Sequence, residues 1–320
     1  TGGVATLNSV CNNISKARGL SASVHPRADA FDVDFVAHEL GHQFGAHHTF
    51  NGGIVNSCSV TNYFASTAYE PGSGSTIMSY AGLCGSQNLQ RRSNAYFHLV
   101  TLGEISTYTT TGNGSTCGVS VATGNNTPTV DADPNNMDGK TIPISTPFEL
   151  IASGYDGDGD EITYTWEQFD LGPQGAPSSS STQAPLFRSF SPSSSPNRTF
   201  PILSYILDNT TSLGEKLPSV ARDLNIGCTV RDNSTIGGGY SADGLLIHVT
   251  AAAGPFLITS HNSTGVVSGN ITVTWDVAGT TATPVSCANV DIQLSTDGGV
   301  TFTDLVAGTP NDGSQTVTLP

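Results

Sequence analysis

Residues 29–48 restrict this chain more than any other stretch. They read Asp-Ala-Phe-Asp-Val-Asp-Phe-Val-Ala-His-Glu-Leu-Gly-His-Gln-Phe-Gly-Ala-His-His. Val36, Leu40 and Phe44 recur every four residues, which predicts a helix over 29–45 with those three on one face. Asp29, Asp32 and Asp34 lie at its positive end, where acidic groups complement the helix dipole. Gly45 is the expected stop, because glycine accepts the left-handed backbone that ends many helices. On such a helix His38 and His42 leave the same face one turn apart, with Cβ atoms about 5–6 Å from each other.

Two imidazoles at that spacing can place nitrogens on one Zn²⁺ at about 2.0–2.1 Å each. A turn at Gly45 lets His48 fold back as the third ligand. Glu39, next to His38, is placed to reach a water in the remaining position. Three protein ligands and one open position define a catalytic rather than a structural zinc. A structural site is disfavoured because the sequence offers no fourth ligand nearby. A bare His-Glu-x-x-His fits a solvated helix face too, but the full spacing through Gly45 to His48 fixes five positions. His47 reads as a neighbour of the third ligand, with a one-residue shift of register as the alternative.

The extended motif resembles the metzincin clan of zinc endopeptidases. Members of that clan carry a methionine-containing turn beneath the metal, and Ser75-Thr-Ile-Met78-Ser-Tyr80 is similar to it. Met78 is one of only two methionines. The resemblance implies that Met78 and Gly45 are structural. It also implies that Tyr80, at the Met-x-Tyr spacing of astacin-like and serralysin-like members, approaches the metal. Gly3-Val-Ala-Thr, Cys11 and His-Glu-Leu-Gly-His resemble adamalysin-like members instead, so the features are mixed. The implied activity is hydrolysis of protein peptide bonds by a zinc-bound water, with Glu39 as general base and Tyr80 assisting. The resemblance spans about residues 1–110. Clan members place a twisted sheet and a long helix ahead of the zinc helix, whereas only residues 1–37 precede His38 here. The expectation is a fragment that lacks an N-terminal segment of the same protein, or a missing part that belongs to another chain.

The rest of the chain has another character. Its 320 residues include 36 Gly and 17 Pro, scattered between short apolar runs, which reads as strands and turns. Net charge is −15, and residues 121–320 hold 20 of the 26 acidic residues against 6 of the 11 basic ones. That argues against nucleic acid or an anionic membrane surface as partner, since both need a basic footprint. No apolar run is long enough to span a membrane. The chain opens Thr-Gly-Gly-Val without Met, as expected of a processed or cut piece. It stops at Pro320 just past a strand-like segment, which suggests a truncated last module. Six cysteines without a Cys-x-x-Cys pair suit disulfides in an oxidising compartment. Cys58 and Cys84 bracket one loop region and Cys11 and Cys117 bracket the head, but 6 cysteines permit many pairings and the sequence does not choose.

Asn-Asn-Thr-Pro-Thr at 125–129 reads as a linker and Ala251-Ala-Ala-Gly-Pro255 as a second boundary. Strands are predicted at 162–166, 226–230, 245–249, 271–275, 290–294 and 300–305, with 172–197 a long Ser/Pro/Gly loop. A second helix is predicted over 95–108. Ile162-Thr-Tyr-Thr-Trp166 echoes Ile271-Thr-Val-Thr-Trp275, and the two segments contain the only tryptophans. Period 2 sets each Trp on the core face and the threonines on the other. Asp156, Asp158 and Asp160 alternate with glycine, as hard oxygen ligands for Ca²⁺ do, with Asp131, Asp133 and Asp138 as further candidates. The EF-hand pattern fails here, and a solvated Asp-Gly turn is the alternative.

The fold class expected is multidomain. Residues 1–122 form an α+β partial metzincin core, with zinc helix, Met-turn and C-terminal helix. Two all-β sandwich modules follow at 123–253 and 254–320, resembling the cadherin-like and immunoglobulin-like modules of secreted bacterial metalloproteases. The function expected is that of a secreted, extracellular zinc endopeptidase acting on protein or peptide substrates. The alternative is an adhesion or substrate-tethering protein with an inactive head.

Overall fold

The computed structural model describes residues 2–263 and 265–320. Strands β1 (Gly2–Ala5) and β2 (Gly19–Ala22) pair antiparallel, with Gly3 opposite Ser21. A helical run follows, formed by α1 (Asp29–Phe31), a wide π-helical stretch (Asp32–Ala37) and α2 (His38–Gln43). It ends where the sequence predicts, with Gly45 at φ 98°. The buried row differs from the predicted Val36–Leu40–Phe44 face, because Leu40 is 47% exposed. The row Val33–Ala37–Gly41 turns inward instead, against Ala46, Ile77 and Met78. Both rows share a spacing of four, and only the one containing Gly41 leaves room for the Met78 side chain.

The second helix, α3, spans Leu99–Thr110 and starts four residues later than the predicted Ala95. Residues 94–96 are already committed elsewhere. The N–H of Asn94 donates to the Ser75 carbonyl at 2.8 Å, and that of Ile77 donates to the Tyr96 carbonyl at 3.1 Å. Backbone bound to the Met-turn cannot also supply helix hydrogen bonds. His98 then caps α3, its Nδ1 accepting from the Val100 N–H at 3.2 Å.

Beyond the head, strand follows strand: β3 (Thr129–Asp131), β4 (Thr141–Pro143), β5 (Phe148–Ile151), β6 (Ser153–Tyr155), β7 (Thr163–Gln168) and β8 (Asn197–Phe200). A short α4 (Leu203–Leu207) precedes β9 (Arg222–Arg231) and β10 (Tyr240–Thr250). The main sheet has the order β4-β10-β9-β7, with β4 parallel to β10 and the other pairs antiparallel. Pairs β3–β6 and β5–β8 flank it. Trp166 is buried in this core with Leu150, Phe187, Phe200, Leu224 and Ile226, and its indole N–H donates to the Pro196 carbonyl at 2.9 Å.

The C-terminal strands are β11 (Leu257–Ile258), β12 (Asn270–Asp276), β13 (Asn289–Leu294), β14 (Thr303–Pro310) and β15 (Ser314–Thr318). They make a sheet β11-β12-β15 and an antiparallel pair β13–β14. Trp275 is buried, its indole N–H donating to Asn311 Oδ1 at 2.8 Å. The strand predicted from Val300 begins only at Thr303, and Val300 itself is 80% exposed.

The main sheet is joined to the head. Glu167 on β7 accepts from the Leu99 N–H at 2.9 Å and from the Ser189 hydroxyl at 2.8 Å. Arg231 on β9 donates to the Phe97 carbonyl at 2.9 Å and to the Thr165 hydroxyl at 2.8 Å, so the threonine face of β7 is covered rather than solvated. The predicted long loop is part of this joint. The Ser75 and Tyr96 hydroxyls donate to Ser189 O and Oγ at 2.9 and 2.7 Å, and the Gly175 N–H donates to the Asn51 carbonyl at 2.9 Å.

Candidate metal centre

The helix, the turn after it and the Met-turn bring His38, His42 and His48 together. The Nε2 of His48 lies 3.2 Å from that of His38 and 3.0 Å from that of His42. Each ring is held from behind. The Nδ1–H of His38 donates to the Ile77 carbonyl, that of His42 to the Ala46 carbonyl, and that of His48 to the Asn62 carbonyl, all at 2.7 Å. A carbonyl can only accept, so each Nδ1 carries the proton and each neutral ring turns a bare Nε2 lone pair to the centre. Three lone pairs facing one another repel unless a cation lies between them. The donor set therefore fits a metal, and three imidazoles with no fourth side chain among the described residues suit zinc.

Burial keeps these rings neutral. It pushes His38 down to about 4, helped by the neighbouring His42, and His48 down to about 3, helped by His38 and His42. His42 is lowered as well, mainly by burial. Neutral imidazole is the metal-ligating form.

The carbonyls behind the rings come from three different places, which explains the surrounding sequence. Ile77 belongs to the Met-turn, and Met78 is fully buried with its sulfur against Gly41, where any Cβ would strike it. Ala46 follows the positive-φ Gly45. Asn62 lies in the loop closed by the Cys58–Cys84 disulfide, and a second disulfide joins Cys11 to Cys117. Cys228 and Cys287 are free.

Glu39 is buried beside the imidazoles, and burial pushes its carboxyl up to about 7. Strand β1 lies directly on it, so that a Cβ at Gly3 would overlap the Glu39 side chain. The Tyr80 ring lies 4.5 Å from that of His48 and 6.0 Å from that of His38, and stacks on Phe50 at 4.7 Å. Burial and the nearby Glu39 push the Tyr80 hydroxyl up to about 12, which keeps it a donor at neutral pH. His47 points away, its Nδ1 2.6 Å from Glu104 Oε1 on α3 and its ring stacked on Phe64 at 3.7 Å.

Glu70 and Glu104 are supporting residues that the sequence alone leaves unmarked. Glu70 is 1% exposed and accepts from the Thr49 hydroxyl at 2.5 Å, the Ser75 N–H at 2.7 Å and the Thr76 hydroxyl at 2.6 Å. It thereby ties the residue after His48 to the start of the Met-turn. The one available signal was its isolation, since residues 1–120 contain only 6 acidic residues. The second acidic group, Asp156, Asp158 and Asp160, also assembles, one carboxylate oxygen of each lying within 4.8 Å of the others. Asp131, Asp133 and Asp138 do not join it. The Asp131 and Asp133 carboxylates accept from the local N–H groups of Asp133 and Met137, which satisfies turns instead, and that of Asp138 accepts from the Leu246 N–H on β10 at 2.8 Å.

Residues 1–108 match the family model of Metallo-peptidase family M12B, Reprolysin-like. That match supports a metzincin-clan zinc metallopeptidase for this part of the chain, and protein substrates with it. No curated protein matches the chain. No helix among the described residues is long and apolar enough to cross a membrane.

Proposed function

We propose that the protein is a secreted zinc endopeptidase of metzincin type, in which His38, His42 and His48 hold the metal and Glu39 is the general base. The observation that carries this reading is the meeting of three unprotonated Nε2 atoms beside a buried carboxylate. When bound there, zinc supplies Lewis acidity to the scissile carbonyl and to water. The Glu39 carboxylate takes a proton from the attacking water and delivers it to the leaving nitrogen. The Tyr80 hydroxyl donates a hydrogen bond to the carbonyl oxygen as negative charge develops on it. Two disulfides support an oxidising, extracellular setting.

The division into a catalytic part (1–122) and two β-sandwich modules (123–253 and 254–320) belongs to the same proposal. The Glu167–Leu99 and Ser75–Ser189 hydrogen bonds support a first module that braces the catalytic part through α3 and the Met-turn.

The test is Glu39→Gln in the whole protein, assayed beside His48→Ala. The first variant retains one zinc per chain and loses peptidase activity on an unfolded protein substrate by roughly a thousandfold or more. The second loses both zinc and activity. Full activity in Glu39→Gln would end the assignment.

A further inference from the structure

Between β6 and β7 the chain reads Tyr155-Asp156-Gly-Asp158-Gly-Asp160-Glu161. Three carboxylates converge here, and no Lys or Arg among the described residues forms a salt bridge with any of them. Like charges held this close are unfavourable without a counter-charge. The decisive atom is Oδ2 of Asp156. This residue is 5% exposed, and its Oδ1 is engaged, accepting from the Asp158 N–H at 2.8 Å and the Asp160 N–H at 3.1 Å. Its Oδ2 is buried and has no donor among the described residues. A buried carboxylate oxygen left in that condition is costly, and native structures rarely tolerate one without an ion or water as partner.

We propose that Asp156, Asp158 and Asp160 form a calcium site, independent of the histidine centre. The donors are all hard oxygens, three of them anionic, on a loop turned by Gly159 at φ 80°. Ca²⁺ accepts six to eight such oxygens in flexible geometry, the remainder coming from carbonyls and water. Zinc favours nitrogen and sulfur, and Mg²⁺ demands a stricter octahedron. The site has a structural consequence. Both oxygens of Asp158 also hold Asn126, whose N–H and Nδ2 donate to them at 2.5 and 2.6 Å. Asn126 lies in the segment leading from the head into β3. The cation thus fixes the loop to which that segment is attached. The preceding residue, Asn125, also has a buried Oδ1 without a donor among the described residues, while its Nδ2 donates to Asp232 at 2.6 Å.

The experiment is calorimetric titration of the zinc-loaded whole chain with CaCl₂, alongside thermal unfolding and a parallel MgCl₂ titration. The expected result is one Ca²⁺ per chain, with affinity in the range of roughly 10⁻⁵–10⁻³ M seen for sensor and extracellular sites, and a midpoint raised by several degrees. Asp160→Asn leaves the Asp156 carboxylate and its hydrogen bonds in place, and is expected to weaken Ca²⁺ binding about tenfold or more with an unchanged circular dichroism spectrum. Asp158→Asn gives a second reading should the first variant misfold. Absence of heat and of any midpoint shift up to about 10 mM Ca²⁺ would overturn the proposal. So would unaltered binding in both variants, or Mg²⁺ binding as tightly as Ca²⁺.

Discussion

Glu167, on a strand of the main sheet, accepts a hydrogen bond from the backbone N–H of Leu99, the first residue of α3, at 2.9 Å. The carboxylate thus serves a helix N-terminus more than sixty residues away in sequence, where the helix dipole favours negative charge. Its other oxygen accepts from Ser189, which in turn receives Tyr96. Replacing Glu167 with Ala leaves these buried donors unpaired and should destabilise the protein by about 3 kcal/mol. Calorimetric unfolding checks this. The head and main sheet should melt in one transition, and Glu167→Ala should lower it. Two transitions, with only one moved by the substitution, would show that the joint carries little energy.

Gly41 lies inside the zinc-helix motif, yet its role concerns packing. A Cβ there would strike the Met78 sulfur. Gly41→Ala should cost about 1–3 kcal/mol through overpacking, despite alanine's better helix propensity. It should also push the Met-turn, whose Ile77 carbonyl orients His38. Denaturant melts and zinc-release rates with a competing chelator measure the two effects. A stabilised variant with unchanged zinc release would contradict the contact.

At Gly3 the expected outcome separates stability from activity. A Cβ on this residue overlaps the Glu39 carboxylate, whose side chain can move aside. Gly3→Ala should therefore lower kcat by roughly tenfold or more under the proposed mechanism, in which Glu39 is the general base, since small displacements of such a group are costly in rate. Folding stability should change by less than about 1 kcal/mol. Steady-state kinetics beside thermal unfolding decide it, and an unaltered kcat would show that the strand yields instead.

The two free cysteines should behave differently. Burial pushes the Cys228 thiol up to about 12, with Glu167 and Asp243 adding to the shift, so its reactive thiolate is scarce at pH 8. Cys287 is only half-buried. Titration of the native protein with a thiol reagent should release one equivalent, and a second should appear on unfolding. Rapid modification of Cys228 in the native state would contradict its packing.

The convergence of His38, His42 and His48 was legible because its information is local. His38, His42, Gly45 and His48 are fixed by one helix and one turn, and Met78 by its rarity and its likeness to a known turn. What holds those residues was not legible. Glu70 reaches back to Thr49 and forward to Ser75 and Thr76, and no period marks a residue that works by accepting hydrogen bonds. The early helix start at Ala95 failed because residues 94–96 bond to the Met-turn, a competition invisible in a linear pattern. In the same way 172–197 reads as a loop because it forms no ladder, yet Ser189 and Gly175 are docking points. The strands at 162–166, 226–230 and 245–249 were legible through alternation, although burial of the threonine side of β7 depends on Arg231 and the head.

The Cys11–Cys117 bond spans 106 positions and encloses every histidine of the metal centre. A peptidase is exposed to cleavage by its own kind, and a backbone cut anywhere within that span leaves two pieces still covalently tied. Such a nicked molecule would migrate as one species on a non-reducing gel and fall apart only when a reductant is added.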